Sequence, residues 1–310
     1  ILDKIAKAIA FESKDLKVLI GIAEPTGDLH LPTLFNSIVL VRDSGWMVVA
    51  RKQLLPTYDV FDEKRYFRPA EALGVLNLEI NQREWRLGVT ICEDLWVEEH
   101  LQGHRISGPD PIARLQSQKI DLLINLSASP FSHNKIDLRQ KLAVKAVERL
   151  KCPIIYLNQV GGNDELIFDG SSFALDSQAE LIFKLPAFRK AFAIWEPTQK
   201  KVPTTDFATP QEELFRALVL GVGDYAKKCG FNSALIGLSG GIDSALVTVI
   251  ATAALGSKKI TAVLMPSPWS SHGSVEDSLN LAKRLGVSTQ ILPINDLMKS
   301  YNSALEIPLG

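Results

Sequence analysis

Leu87-Gly88-Val89-Thr90-Ile91-Cys92-Glu93-Asp94-Leu95-Trp96 is the stretch that decides the fold. Its first half is a short, β-branched, apolar run of the kind that forms a strand buried on both faces. The thiol falls where charged residues begin, which places it at the rim of a sheet, the usual station of a nucleophile. The same local pattern also fits a free cysteine acting as a small buried hydrophobe.

Upstream of this run the chain is rich in strands. Val18 to Ala23 is an apolar run stopped by Glu24-Pro25-Thr26-Gly27-Asp28, and Phe35 to Val41 with Trp46 to Ala50 reads as a hairpin turned at Asp43-Ser44-Gly45. Leu73 to Ile80 pairs with Trp85 to Cys92. Downstream, helices alternate with apolar strands: helix Pro111 to Gln118, strand Ile120 to Leu126, helix Lys135 to Leu150, strand Pro153 to Asn158, then strands Gly170 to Asp176 and Leu181 to Leu185. Such alternation implies a layered α/β domain.

From Trp195 to Pro210 a Pro-, Thr- and Lys-rich stretch breaks every periodicity. The reading is a first domain over 1–195, a linker over 196–209 and a second domain over 210–310. The second opens with a helix from Pro210 to Cys229, followed by strand Ala234 to Leu238, a Gly-rich loop and helix Ser244 to Ala254. Strand Ile260 to Met265, helix Val275 to Leu285, strand Thr289 to Leu292 and a helix from Ile294 complete a doubly wound pattern that is cut short. The sequence opens inside a helical pattern (Ile1, Ile5, Ile9) without Met and stops soon after another, so both ends are expected to be truncated.

Composition narrows the function. The 310 residues are 46% hydrophobic and 22% charged with a net charge of -1, so no electrostatic footprint for nucleic acid or an anionic membrane exists. No run is long and apolar enough for a membrane span and no signal-peptide layout opens the chain, so small-molecule ligands and a cytoplasmic location are expected. Three cysteines, Cys92, Cys152 and Cys229, lack both disulfide and metal-ligand spacing.

Two constellations carry chemistry. Lys52 stands just past a strand in Arg51-Lys52-Gln53-Leu54-Leu55-Pro56, a position that on its own suits a solvated cation. The stretches 52–67, Ile91 to Trp96, Asn125 to Phe131 (Asn-Leu-Ser-Ala-Ser-Pro-Phe) and 158–170 (Asn-Gln-Val-Gly-Gly-Asn-Asp-Glu-Leu-Ile-Phe-Asp-Gly) together resemble the nitrilase superfamily. Within it they resemble the glutaminase domain of glutamine-dependent NAD synthetases. The resemblance covers about the first 190 residues and implies an α-β-β-α sandwich. It implies that Cys92 attacks the glutamine amide to form a thioester and release ammonia, and that Lys52 lies by the oxyanion and lowers the thiol's pKa. Glu63 matches a supporting carboxylate near Lys52. The family's proton-relaying Glu lies in a Phe-Pro-Glu context upstream of the opening helix. Glu12 and Glu24 do not match it, so a chain beginning at Ile1 is expected to be an inactive glutaminase. Tyr58, Ser129 and Lys135 match the glutamine-binding positions.

The second constellation is Gly237-Leu238-Ser239-Gly240-Gly241-Ile242-Asp243-Ser244, a Gly-rich loop between strand and helix of the kind that cradles phosphate. A plain strand-to-helix connection gives a similar pattern, and the loop lacks the Gly-Lys-Ser/Thr ending of a Walker loop. Ser-Gly-Gly-Ile-Asp-Ser resembles the signature of N-type ATP pyrophosphatases. Val263-Leu264-Met265-Pro266-Ser267-Pro268-Trp269 with Ser278 to Ala282 resembles the NAD synthetases among them. By this resemblance Gly237, Leu238, Ser239, Gly240, Gly241, Ile242, Asp243 and Ser244 bind ATP, with Ser239, Gly240, Gly241 and Ser244 on its pyrophosphate, Asp243 ligates Mg²⁺, and Met265 contacts adenosine. Glutamine, ATP and deamido-NAD are the implied substrates, with ammonia passing between sites of a homo-oligomer. The rivals are a stand-alone nitrilase-type amidase, another ATP-dependent amidotransferase, and an inactive scaffold with the glutaminase fold.

Overall fold

The structure is a computed structural model that describes residues 1–13, 15–28, 31–104, 106–198 and 208–309. It divides into two compact units, one of residues 1–160 and 168–207 and one of residues 161–167 and 208–310. Residues 199–207 of the expected linker lie outside the described residues.

The first unit contains, in chain order, α1 (Leu2–Glu12), β1 (Val18–Pro25), β2 (Leu34–Arg42), β3 (Gly45–Arg51), the single-turn α2 (Glu63–Tyr66), β4 (Val75–Ile80), β5 (Arg83–Ile91), α3 (Glu99–Gln102), α4 (Pro111–Gln116), β6 (Leu122–Ser127), α5 (Lys135–Leu150) and β7 (Ile154–Asn158). The hairpin β8 (Val160–Asn163) and β9 (Leu166–Asp169) comes next in the chain and falls mostly in the second unit, before β10 (Phe173–Leu175) and β11 (Leu181–Lys184) of the first. Antiparallel β1-β2-β3 forms one sheet. The other runs β11-β10-β7-β6-β5-β4, with β5, β6 and β7 mutually parallel and antiparallel strands on both flanks.

Alternation along the strands shows how the layers stack. In β2, Ile38 and Leu40 join Ala50, Leu87, Val89 and Ile91 in the core between the sheets, while Val39 and Val41 turn outward to Ala6 and Ile9 of α1. On the far face of the larger sheet, Leu123, Ile154 and Tyr156 pack against Ile112 and Leu115 of α4 and Leu142, Ala143 and Val147 of α5. Helix, sheet, sheet and helices in that order are the expected α-β-β-α sandwich.

The second unit has α6 (Pro210–Cys229), β12 (Ala234–Gly237), α7 (Ile242–Leu255), β13 (Ile260–Leu264), α8 (His272–Leu285), β14 (Ser288–Ile291) and α9 (Asn295–Leu309). Its strands form a parallel sheet in the order β12-β13-β14. Ala262 and Leu264 of that sheet pack with Ala251 of α7 and Ala282 of α8. No helix of the described residues is long and apolar enough to cross a membrane.

Candidate active site

Strand β5 delivers Cys92 to a 3-10 turn, Cys92–Leu95, with φ of +47° at the cysteine itself, a left-handed value uncommon outside glycine. The rim expected there is not a solvated one, because Cys92, Glu93, Asp94 and Leu95 are all buried. Glu93 keeps one oxygen, Oε1, without a partner, while Asp94 is fully engaged. The Asp94 carboxylate accepts hydrogen bonds from the backbone N–H groups of Gln53 and Leu54 (2.9 Å each) and Ile91 (3.1 Å). One side chain thereby clamps the segment after β3 to the turn that carries the thiol. Burial pushes its pKa up to about 6 in spite of those three donors.

Lys52, held by that clamp, is 1% exposed and far from a solvated cation. Its Nζ donates to Glu63 at 2.6 Å and to Glu93 at 2.7 Å. Glu63 comes from α2 and Glu93 directly follows the thiol. Burial alone pulls the lysine's pKa down, but Glu93, the Cys92 sulfur and Glu63 more than reverse it, so the ammonium keeps its charge. For Glu93 burial is the largest influence, but the ammonium together with hydrogen bonds from Cys92, Lys52 and the backbone outweighs it and lowers the pKa, whereas for Glu63 burial wins and raises it.

Lys52 acts on the thiol in the expected direction, lowering its pKa, but burial first and the Glu93 carboxylate second outweigh it and push the thiol above its ordinary range. One ammonium shared by two carboxylates is a net negative neighbour, so the resting sulfur holds its proton.

Cys92, Lys52 and Glu63 line one cavity of about 530 Å³ together with Asn36, Ser127 and Asn158. Tyr58 and Lys135 line a second, of about 610 Å³, with Trp96 and His104. The Lys135 Nζ lies 5.5 Å from the centroid of the Trp96 ring and 5.7 Å from that of Phe61, and burial lowers its pKa. Ser129 stands apart from both. Its hydroxyl accepts from Arg139 Nε (3.1 Å) and its backbone amide bonds Asn158 (2.9 Å), while Arg139 is anchored to Asp169 by two contacts of 2.8 Å. Glu12 is exposed at the end of α1, and Glu24 is held by Arg51 and Ser37.

In the second unit, Gly240 has φ of +86°, and a Cβ there would meet the Ser274 backbone oxygen at 2.4 Å, so only glycine fits between the loop and the start of α8. The hydroxyls of Ser239 and Ser244 bond each other at 3.0 Å across the loop, and Ser244 also donates to the Gly241 carbonyl. Asp243 is exposed in the first turn of α7. Met265 follows β13 and approaches Gly237, with 3.3 Å from its Cε to a Cβ built there. Among the described residues no cluster of three metal-ligating side chains occurs. A lone Asp beside a phosphate loop is nonetheless the donor set Mg²⁺ takes when substrate phosphates and water fill its other positions.

Glu93, Asp94, Trp96 and His104 were not among the residues singled out from sequence. The signal for Glu93 and Asp94 was their position immediately after the thiol, where acidic residues pass easily for surface.

Fold and cluster together define a nitrilase-like sandwich with a buried thiol, lysine and carboxylates, followed by a parallel-sheet unit with a Gly-rich loop. The carbon-nitrogen hydrolase family model matches residues 12–201, and the NAD synthase model matches residues 214–307. The chain belongs to the carbon-nitrogen hydrolase family. It is 46% identical over 283 residues to the glutamine-dependent NAD(+) synthetase of Synechocystis sp., covering 89% of this chain and 50% of the relative. With the enzyme of that name from Thermotoga maritima the identity is 36% over 347 residues, covering 96% and 58%. The glutamine-dependent NAD+ synthetase of Acinetobacter baumannii, solved with ADP, superposes with a TM-score of 0.83 at 33% identity, over 100% of this chain and 57% of that one. The chain spans about half the length of the curated relatives it matches.

Proposed function

We propose that this chain is part of a glutamine-dependent NAD synthetase, in which glutamine yields ammonia at Cys92 and ATP-activated deamido-NAD consumes it to give NAD, AMP and pyrophosphate. The observation that carries the reading is one chain holding both a buried thiol–lysine–carboxylate cavity and a glycine-dependent loop between a parallel strand and a helix.

In the first reaction the Cys92 sulfur attacks the amide carbon of glutamine, and the C–N bond breaks to leave a thioester and ammonia. Lys52, kept charged by Glu93 and Glu63, supplies the cation for the transient oxyanion. Because the thiol is protonated at rest, its proton must pass to a carboxylate before attack. The family resemblance gives that part to a Glu upstream of residue 1 and gives Glu63 an orienting part. Tyr58 and Lys135 recognise the amino-acid end of glutamine, with Ser129 bracing the wall through Arg139.

In the second reaction Gly237 to Ser244 cradle the phosphates of ATP, Met265 contacts adenosine and Asp243 ligates Mg²⁺, which offsets phosphate charge when bound. Ammonia protonates and escapes in bulk water, so an enclosed route between the sites belongs to this reading, as do a homo-oligomeric enzyme and a cytoplasmic location. The test is Cys92→Ala in the full protein. Glutamine-driven NAD synthesis is expected to vanish while ammonia-driven synthesis persists, and loss of both would overturn the assignment of roles.

A further inference from the structure

The cavity lined by Tyr58 and Lys135 contains more unused hydrogen-bonding capacity than a packed protein interior tolerates. Four of its lining residues have buried polar atoms without a partner: Tyr58 Oη, Trp96 Nε1, Gln102 Oε1 and His104 Nε2. A wall of such groups is what a polar ligand satisfies on binding.

The neutral His104 ring has a defined tautomer. Its Nδ1 lies 3.2 Å from the backbone oxygen of Gln102, and a carbonyl oxygen only accepts, so Nδ1 carries the hydrogen. In the neutral ring Nε2 is then a bare acceptor. The ring is fixed in place against Tyr58, with centroids 4.4 Å apart and planes at 65°. Across the same cavity the Lys135 ammonium and the Trp96 N–H are donors. Buried donors with two buried acceptors, Gln102 Oε1 and the ring-held His104 Nε2, fit a ligand that has both an anionic and a cationic end. The other acidic residues on this cavity, Asp59 and Asp137, are exposed, and water screens them.

We infer that His104 is a specificity-determining residue for the α-amino group of the substrate: its Nε2 accepts a hydrogen bond from the substrate ammonium while Lys135 holds the carboxylate. This inference rests on the reading that glutamine is the nitrogen donor.

The experiment is calorimetric titration of the full protein in a Cys92→Ala background, with glutamine and with glutaramate, which is glutamine lacking its α-amine. His104→Phe keeps the ring packing and removes the acceptor. Glutamine is expected to bind on the order of tenfold or more weakly in this variant, as befits a lost hydrogen bond to a charged group, with glutaramate unchanged. His104→Gln, whose amide oxygen can accept, is expected to recover most of the affinity and serves if the phenylalanine variant does not fold. Equal weakening of both ligands would reduce His104 to a packing residue and overturn the inference, as would unchanged glutamine binding. Failure of the His104-intact protein to bind glutamine at all would instead overturn the glutamine reading on which it rests.

Discussion

At the scale of single residues, the site is a problem in buried charge. Lys52 is stable in the interior only because Glu63 and Glu93 face it, so Lys52→Met leaves two carboxylates uncompensated. The expected loss is about 3–5 kcal/mol in urea unfolding of the first unit, and adding Glu93→Gln should restore part of it; a double variant no better than the single one would refute the pairing. The thiol obeys the same electrostatics. With its pKa above the ordinary range, Cys92 should alkylate slowly at pH 8, behind the exposed Cys229, and its rate should still be climbing above pH 9 as thiolate forms. Asp94 gives a third test. Asp94→Asn turns an N–H donor of the amide toward one of three backbone donors, for an expected cost of about 1–3 kcal/mol. Between pH 3.8 and about 6 the folded chain retains a proton that the unfolded chain has released. That contribution to stability is complete below the window and lost as pH rises through it; the Asn variant should lack this slope. Of these residues, Lys52, Glu63 and Cys92 were legible in sequence through a family pattern. The net rise of the thiol's pKa was not, because it depends on burial and on Glu93 folding inward where its neighbours in sequence imply water.

At the scale of elements, legibility follows periodicity and caps. The limits of α5 and α6 could be read to the residue: Thr209 accepts from Glu212 N–H at the start of α6, Pro210 occupies its first turn, and Gly230 ends it in the left-handed region. The single turns α2 and α3, the 3-10 turn at Cys92 and the hairpin β8-β9 are too short to show a period, and all four were missed. The Gly-rich loop makes a sharp prediction here. Gly240→Ala combines an unfavourable backbone angle with a clash against the Ser274 main chain, neither of which a rotamer can relieve. ATP-dependent synthesis with ammonia should fall at least tenfold, while thiol labelling of the first unit by a glutamine-like electrophile should be unaffected.

At the scale of the whole molecule, the sandwich was legible because alternation assigns each strand residue to a layer: Ile38 and Leu40 face the other sheet, Val39 and Val41 face α1. Strand order in the larger sheet was not, since β10 returns beside β7 through contacts remote in sequence. Within this frame the left-handed backbone at position 92 has a consequence of its own. Such a conformation costs a residue with a Cβ about 1–2 kcal/mol, which glycine escapes. Cys92→Gly should therefore match or exceed Cys92→Ala in thermal denaturation, although neither can form a thioester. Under the proposed function, a side chain able to form that thioester sits at this pivot at a backbone cost that glycine would not incur.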